Sequence, residues 1–121
     1  MAEGFARQLG ADLLTVSSSG LAPTREVAWE TVSVMKVHGV DIAEQYPKKF
    51  NPYGSGNFDL IVNLSGFDLP GRPTPPVEEW SVPDPYGGSA AIYRQCATDI
   101  EARVQNLVER FRTVSGPPIA P

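Results

Sequence analysis

Apolar residues recur at helical spacing most clearly near the end of the chain, where Ile92, Cys96, Ile100, Val104, Leu107, Val108 and Phe111 fall three or four positions apart. The stretch from Ser89 to Arg112 holds neither Gly nor Pro and follows Gly87-Gly88. It predicts one long amphipathic helix with Ser89 as its N-cap. At the other end, Ala2 to Leu9 reads as a short helix closed by Gly10. Val27, Thr31, Val34, Met35 and His38 mark a second helix, introduced by Pro23, Thr24 and Glu26 and ended by Gly39. Strand signals are shorter. Leu13 to Ser18 predicts one strand, and Phe58 to Leu64 is nearly continuously apolar, as in a strand covered on both faces. A further short strand is expected around Trp80 to Val82. Six prolines between Pro70 and Pro85 exclude a long helix or a central strand there. Helix, strand, helix, strand, short strand, helix is the order of a parallel α/β domain that begins on a helix.

Composition narrows the class. With 121 residues, 41% of them apolar and 20% charged, the chain fits one domain that hides roughly two thirds of its extended surface. A single domain is expected over residues 1–114, with a loose Pro-rich tail at 115–121. No run approaches the ~20 apolar residues of a membrane span, and the start lacks the pattern of a signal peptide, so a cytoplasmic protein without membrane contact is expected. Ten basic against fourteen acidic side chains give −4, the wrong sign for a nucleic-acid binder. Cys96 is the only cysteine and His38 the only histidine. Disulfide frameworks and zinc clusters are thereby excluded, and neither a metal site nor a cofactor is expected.

Individual residues carry modest signals. Cys96, on an apolar helical face, reads as a small core hydrophobe, and His38 as a cap that complements the helix dipole. Trp80 reads as a packing residue and Trp29 as core or boundary. Gly54-Ser55-Gly56 is too short for a phosphate-loop signature, and Lys48-Lys49 reads as a solvated pair. Asp84, between Pro83 and Pro85, is either a turn initiator or a carboxylate aimed by two stiff neighbours.

Taken in order, several motifs resemble the low-molecular-weight protein tyrosine phosphatases and the arsenate reductases of the same fold. Met1-Ala2-Glu3-Gly4-Phe5-Ala6 is similar to the helix after that family's phosphate loop, and Ser18-Ser19-Gly20 to the Ser-x-Gly after its second strand. Val37-His38-Gly39-Val40-Asp41-Ile42 resembles its Gly-[IV]-Asp-[IL] turn, and Phe58 to Leu64 its third strand. Trp80-Ser81-Val82-Pro83-Asp84-Pro85-Tyr86-Gly87 resembles the Asp-Pro loop, and Tyr93 to Phe111 the closing helix. The resemblance implies a three-layer α/β/α fold whose parallel sheet has strand order two, one, three, four. The first, central strand and the Cys-x-x-x-x-x-Arg loop have no counterpart here. In the family that loop's amides cradle an oxyanion while its thiolate attacks phosphorus or arsenic. Cys96 does not meet this pattern, because position 102 is Ala and Arg103 comes one residue late. The resemblance makes Asp84 the general acid, Ser18 a support of the phosphate loop and Tyr86 a wall of the substrate pocket. It places Ser65 where thioredoxin-linked arsenate reductases carry the first relay cysteine, and no cysteine occurs in residues 66–79 to serve as the second.

Three functional readings follow. The first is a phosphate-monoester hydrolase of the family, inactive as this chain because the nucleophile is absent, with a phosphotyrosine-like or other phosphate-like ligand if the loop lies upstream. The second is a non-catalytic binding or regulatory relative, and the third a truncated arsenate reductase. Without the central strand, residues 13–18 and 58–64 are expected either to close on each other or to accept a strand from a second copy in a homodimer.

Overall fold

The computed structural model describes residues 1–21, 27–51, 57–71 and 73–115. In chain order it contains α1 (Ala2–Leu9), α2 (Trp29–Val37), β1 (Ile61–Asn63), β2 (Val77–Glu79) and α3 (Ala90–Ser115). Contacts divide the chain into two units. The first comprises residues 1–17, 28–45 and 84–121, the second residues 18–27 and 46–83.

The first unit is a three-helix body in which α1 and α2 both pack on α3. The helical periodicity of α3 turns Tyr93, Cys96, Ala97, Ile100, Val104, Leu107 and Val108 inward, each less than a tenth exposed. Burying each Val- or Leu-sized side chain contributes about 1.5–3 kcal/mol. Ile92, counted on the apolar stripe, is half exposed. Ser89 caps the helix as expected, its Oγ accepting the Ile92 N–H at 3.3 Å. From α1 come Phe5 and Ala6, and from α2 Val34 and Met35. Gly4 permits a close approach: a Cβ there would lie 2.7 Å from Ile42 Cγ2 and 3.0 Å from Met35 Cε.

The end of α2 follows from Gly39, which adopts φ 78° after the C-cap His38. Gly39 N–H donates to the Lys36 carbonyl at 2.9 Å and Val40 N–H to that of Met35 at 2.9 Å. This is a Schellman closure whose flanking apolar pair, Met35 and Val40, is buried. His38 Nδ1 lies 3.4 Å from Glu101 Oε2 on α3, and its ring meets Phe5 edge-on at 5.5 Å. The expected entry residues Pro23, Thr24 and Glu26 lie outside the described residues. Trp29 corrects its expectation: it opens α2 at 75% exposure, on the face away from the core.

The second unit holds a two-stranded parallel sheet with Ile61 opposite Val77, Val62 opposite Glu78 and Asn63 opposite Glu79. Ile61 N–H donates to the Pro76 carbonyl and Trp80 N–H to that of Asn63, both at 2.9 Å. Both strands are shorter than predicted or displaced. β1 covers the centre of the apolar run, with Phe58 outside it at 41% exposure, and β2 precedes Trp80 rather than following it. Trp80 itself is buried, as a packing residue should be.

Residues 13–18 form no strand, contrary to the pattern. Leu13 closes a turn after α1, and residues 14–19 are in no ladder among the described residues. The proposed closure of this segment on residues 58–64 is likewise not found. An extended chain becomes a strand only where a neighbour satisfies its backbone groups in a ladder, and this segment joins none among the described residues, while β1 pairs with β2 along one edge. Pairing begins only at Gly20, bridged in parallel to Lys49, with Gly20 N–H to the Lys48 carbonyl at 2.8 Å and Phe50 N–H to that of Gly20 at 2.9 Å. Lys48 departs from a simple solvated pair, since its ammonium lies 4.9 Å from the centroid of the Tyr46 ring.

Candidate functional site

Within the first unit, Asp84 and Tyr86 share the turn that leads into α3. Asp84 Oδ1 accepts the Tyr86 N–H at 3.0 Å, an Asx turn, and Gly88 N–H donates to the Pro85 carbonyl at 2.8 Å. Gly87 completes the turn at φ 79°. The turn-initiator reading of Asp84 is what the geometry shows: one carboxylate oxygen builds the turn, and the side chain is exposed ahead of α3. Tyr86 is 73% exposed and presents its ring to solvent beside that carboxylate.

Behind this turn sits Tyr93, buried on α3. Burial pushes its phenol above the usual range, and Glu30, Asp84 and Tyr86 add to the shift. Glu30, at the start of α2, thus belongs to the same electrostatic neighbourhood as Asp84. Its helix-N-terminal position did not single it out in the sequence.

One turn further along α3 lies Cys96, buried and without a disulfide. Burial pushes its thiol up, the amino-terminal ammonium pulls it down, and Asp99 and Asp84 push it up again. The net direction is upward, away from a thiolate. Cys96 also sits inside α3 rather than at its N-terminus, so the amides of its own helix ahead of it are spent on helical bonds.

Ser18 falls in the second unit, exposed and outside any element. In that unit the most ordered polar cluster follows β1. Asn63 is buried at 3% exposure, its Nδ2 donates to the Phe67 carbonyl at 2.7 Å, and its Oδ1 accepts from the Ser65 N–H at 3.0 Å and the Ser65 hydroxyl at 2.7 Å. Ser65 Oγ in turn accepts the Phe67 N–H at 3.1 Å. Gly66, at φ 79°, makes the reversal affordable sterically. This loop was missed as a unit, although an Asn closing an apolar strand signals a buried amide that needs partners. Gly54-Ser55-Gly56 lies outside the described residues. Among the described residues no three of His, Cys, Asp and Glu gather as a metal site, and no helix is long and apolar enough to cross a membrane.

Comparison with known proteins decides the lineage. The sequence model of the family described as low molecular weight phosphotyrosine protein phosphatase matches residues 1–69 and 73–115. The chain belongs to this family. Among its relatives, a glutaredoxin arsenate reductase of Synechocystis is 32% identical over 118 residues, covering 92% of this chain and 87% of the relative. An arsenate reductase of Staphylococcus aureus is 29% identical over 114 residues, covering 91% and 86%. A solved arsenate reductase in the phosphate binding state superposes with a TM-score of 0.80 at 32% identity, covering 91% of this chain and 86% of that one. An arsenate reductase from Archaeoglobus fulgidus, at 23% identity and a TM-score of 0.74, shares the fold. The pair β1–β2 and the closing helix α3 are thus this family member's parallel sheet and last helix, and the α/β class read from the sequence holds.

Proposed function

We propose that this chain is an arsenate-reductase-like member of the phosphatase family whose 121 residues carry the oxyanion-handling scaffold but no nucleophilic thiol. The observation that carries this reading is Cys96: the single thiol is buried in α3, its pKa is raised by that burial, and it lies inside the helix rather than at a helix N-terminus. Two family chemistries need a low-pKa thiolate at a helix N-terminus, attack on phosphorus and attack on arsenic. Cys96 meets neither the electrostatic nor the geometric condition.

The named relatives favour the arsenate side of the family over phosphate-monoester hydrolysis. Ser65 narrows it further. A hydroxyl cannot form the disulfide of a three-thiol relay, so the lineage this chain fits is one served by a small-thiol or glutaredoxin-type electron donor, as the name of the Synechocystis relative suggests. Asp84 retains the role of general acid, its turn holding the carboxylate in place beside Tyr86.

Two turnover assays on this chain test the proposal: arsenate reduction with glutathione and glutaredoxin, and hydrolysis of para-nitrophenyl phosphate. The expected result is no turnover in either, unchanged in Cys96→Ser. Turnover abolished by Cys96→Ser would overturn it.

A further inference from the structure

Residues 11–17 combine a strand-like sequence with the absence of a strand. Leu14 and Val16 are half-buried while Thr15 and Ser17 are exposed, an alternation of period two. The helical body nevertheless holds the segment by side chains rather than by a ladder. Arg112, in the last turn of α3, grips Asp12 with both guanidinium nitrogens, Nη1 to Oδ2 at 2.8 Å and Nη2 to Oδ1 at 3.3 Å. Arg7, near the end of α1, donates from Nη2 to the Val16 carbonyl at 2.7 Å. Its Nε is fixed by Glu3 Oε2 at 2.7 Å, and that carboxylate is itself buried. Leu14 folds back on Gly10, where a Cβ would sit 2.8 Å from its Cδ1.

We propose that residues 11–17 form a strap, clasped to α1 by Arg7 and to α3 by Arg112, which opens as a local unit while the three-helix core stays folded. Its anchors differ in kind from those of the core. Tyr93 to Val108 is held by close-packed apolar surface, whereas beyond the Leu13 and Leu14 bonds to Gly10 the strap is held by two arginine contacts, one exposed and one running through the half-exposed Arg7. Contacts of that type are worth a few-fold in an equilibrium and weaken as salt screens them. Segments with few buried apolar contacts and solvent-facing hydrogen bonds open first. The depressed Asp12 carboxyl, caused first by its hydrogen bonds from Arg112, is consistent with a formed clasp.

Amide hydrogen exchange on the whole chain tests the proposal. Asp12→Asn and Arg112→Ala alter exposed side chains and remove one clasp, while Arg7→Lys keeps a cation beside the buried Glu3 carboxylate and gives up the guanidinium's second reach to the Val16 carbonyl. The Leu13 and Leu14 amides, which donate to the Gly10 carbonyl at 2.9 and 2.7 Å, are expected to exchange roughly three- to fivefold faster on loss of either clasp and about tenfold or more on loss of both. Those of residues 100–108 should hold their rates. Raising salt from about 0.02 to about 0.5 M should speed the strap in the parent and have little effect once both clasps are gone. Two results would overturn the proposal: a strap no faster with both clasps removed, or strap and helix amides accelerating by the same factor.

Discussion

Replacing Gly4 by Ala adds one methyl group to the tightest contact in the helical body. The new Cβ would fall 2.7 Å from Ile42 Cγ2, 3.0 Å from Met35 Cε and 3.1 Å from Val40 Cγ1. Ordinary carbon contacts lie near 3.5–4.0 Å, so Ile42 must retreat by most of an ångström. Met35 can rotate away, but Ile42 is 1% exposed and has little room to yield. Overpacking of this kind costs about 1–3 kcal/mol. Against it stands the helix preference for Ala over Gly, at most about 1 kcal/mol. The balance is a loss of about 1–2 kcal/mol, or a fall of roughly 4–8 °C in Tm at this chain length. Thermal and urea unfolding of Gly4→Ala measure it. The cause is isolated by combining it with Ile42→Ala, which alone should cost about 2–5 kcal/mol. In the Gly4→Ala background the same truncation should cost at least about 1 kcal/mol less, because it removes the clash. A stabilised Gly4→Ala, or strict additivity of the pair, would refute the packing argument.

Other expectations follow from single contacts. Asn63→Ala removes a buried amide that serves three partners, and should cost about 1–3 kcal/mol in urea unfolding while speeding amide exchange at Ser65 and Phe67. Asn63→Asp, which cannot donate to the Phe67 carbonyl, should cost more. The Asp12 carboxyl, depressed by Arg112, supports the fold above the ordinary carboxylate range and loses that contribution as pH falls through its lowered pKa. Carboxyl-resolved NMR should show the shift in the parent and its disappearance in Arg112→Ala. Cys96→Ala, removing one heavy atom from a helix face, should cost about 1 kcal/mol in equilibrium unfolding.

The helices were legible because their signals are local. Gly10 and Gly39 close α1 and α2 where the pattern placed them, and Ser89 caps α3 with its own hydroxyl. Periodicity also placed Cys96 in the core. Strands were read less well because pairing is not a property of one segment. Leu13 to Ser18 has strand composition, yet its Leu13 and Leu14 N–H groups turn back to the Gly10 carbonyl and its Val16 carbonyl meets Arg7 instead of a ladder. Trp29 shows the same gap from the other side: hydrophobicity predicts burial only when the helix turns that face to a neighbour. Asp84 was legible as a turn former, and its Asx turn bears that out. Asn63 and Glu30 went unread because their importance lies in partners distant from any motif.

The claim that the lone thiol is structural is tested most directly by its alkylation. At neutral pH, iodoacetamide should leave Cys96 of the folded chain essentially unmodified, label it readily once urea unfolds the protein, and show no response to arsenate or phosphate. Rapid labelling of the folded chain at neutral pH, slowed by either oxyanion, would contradict the account.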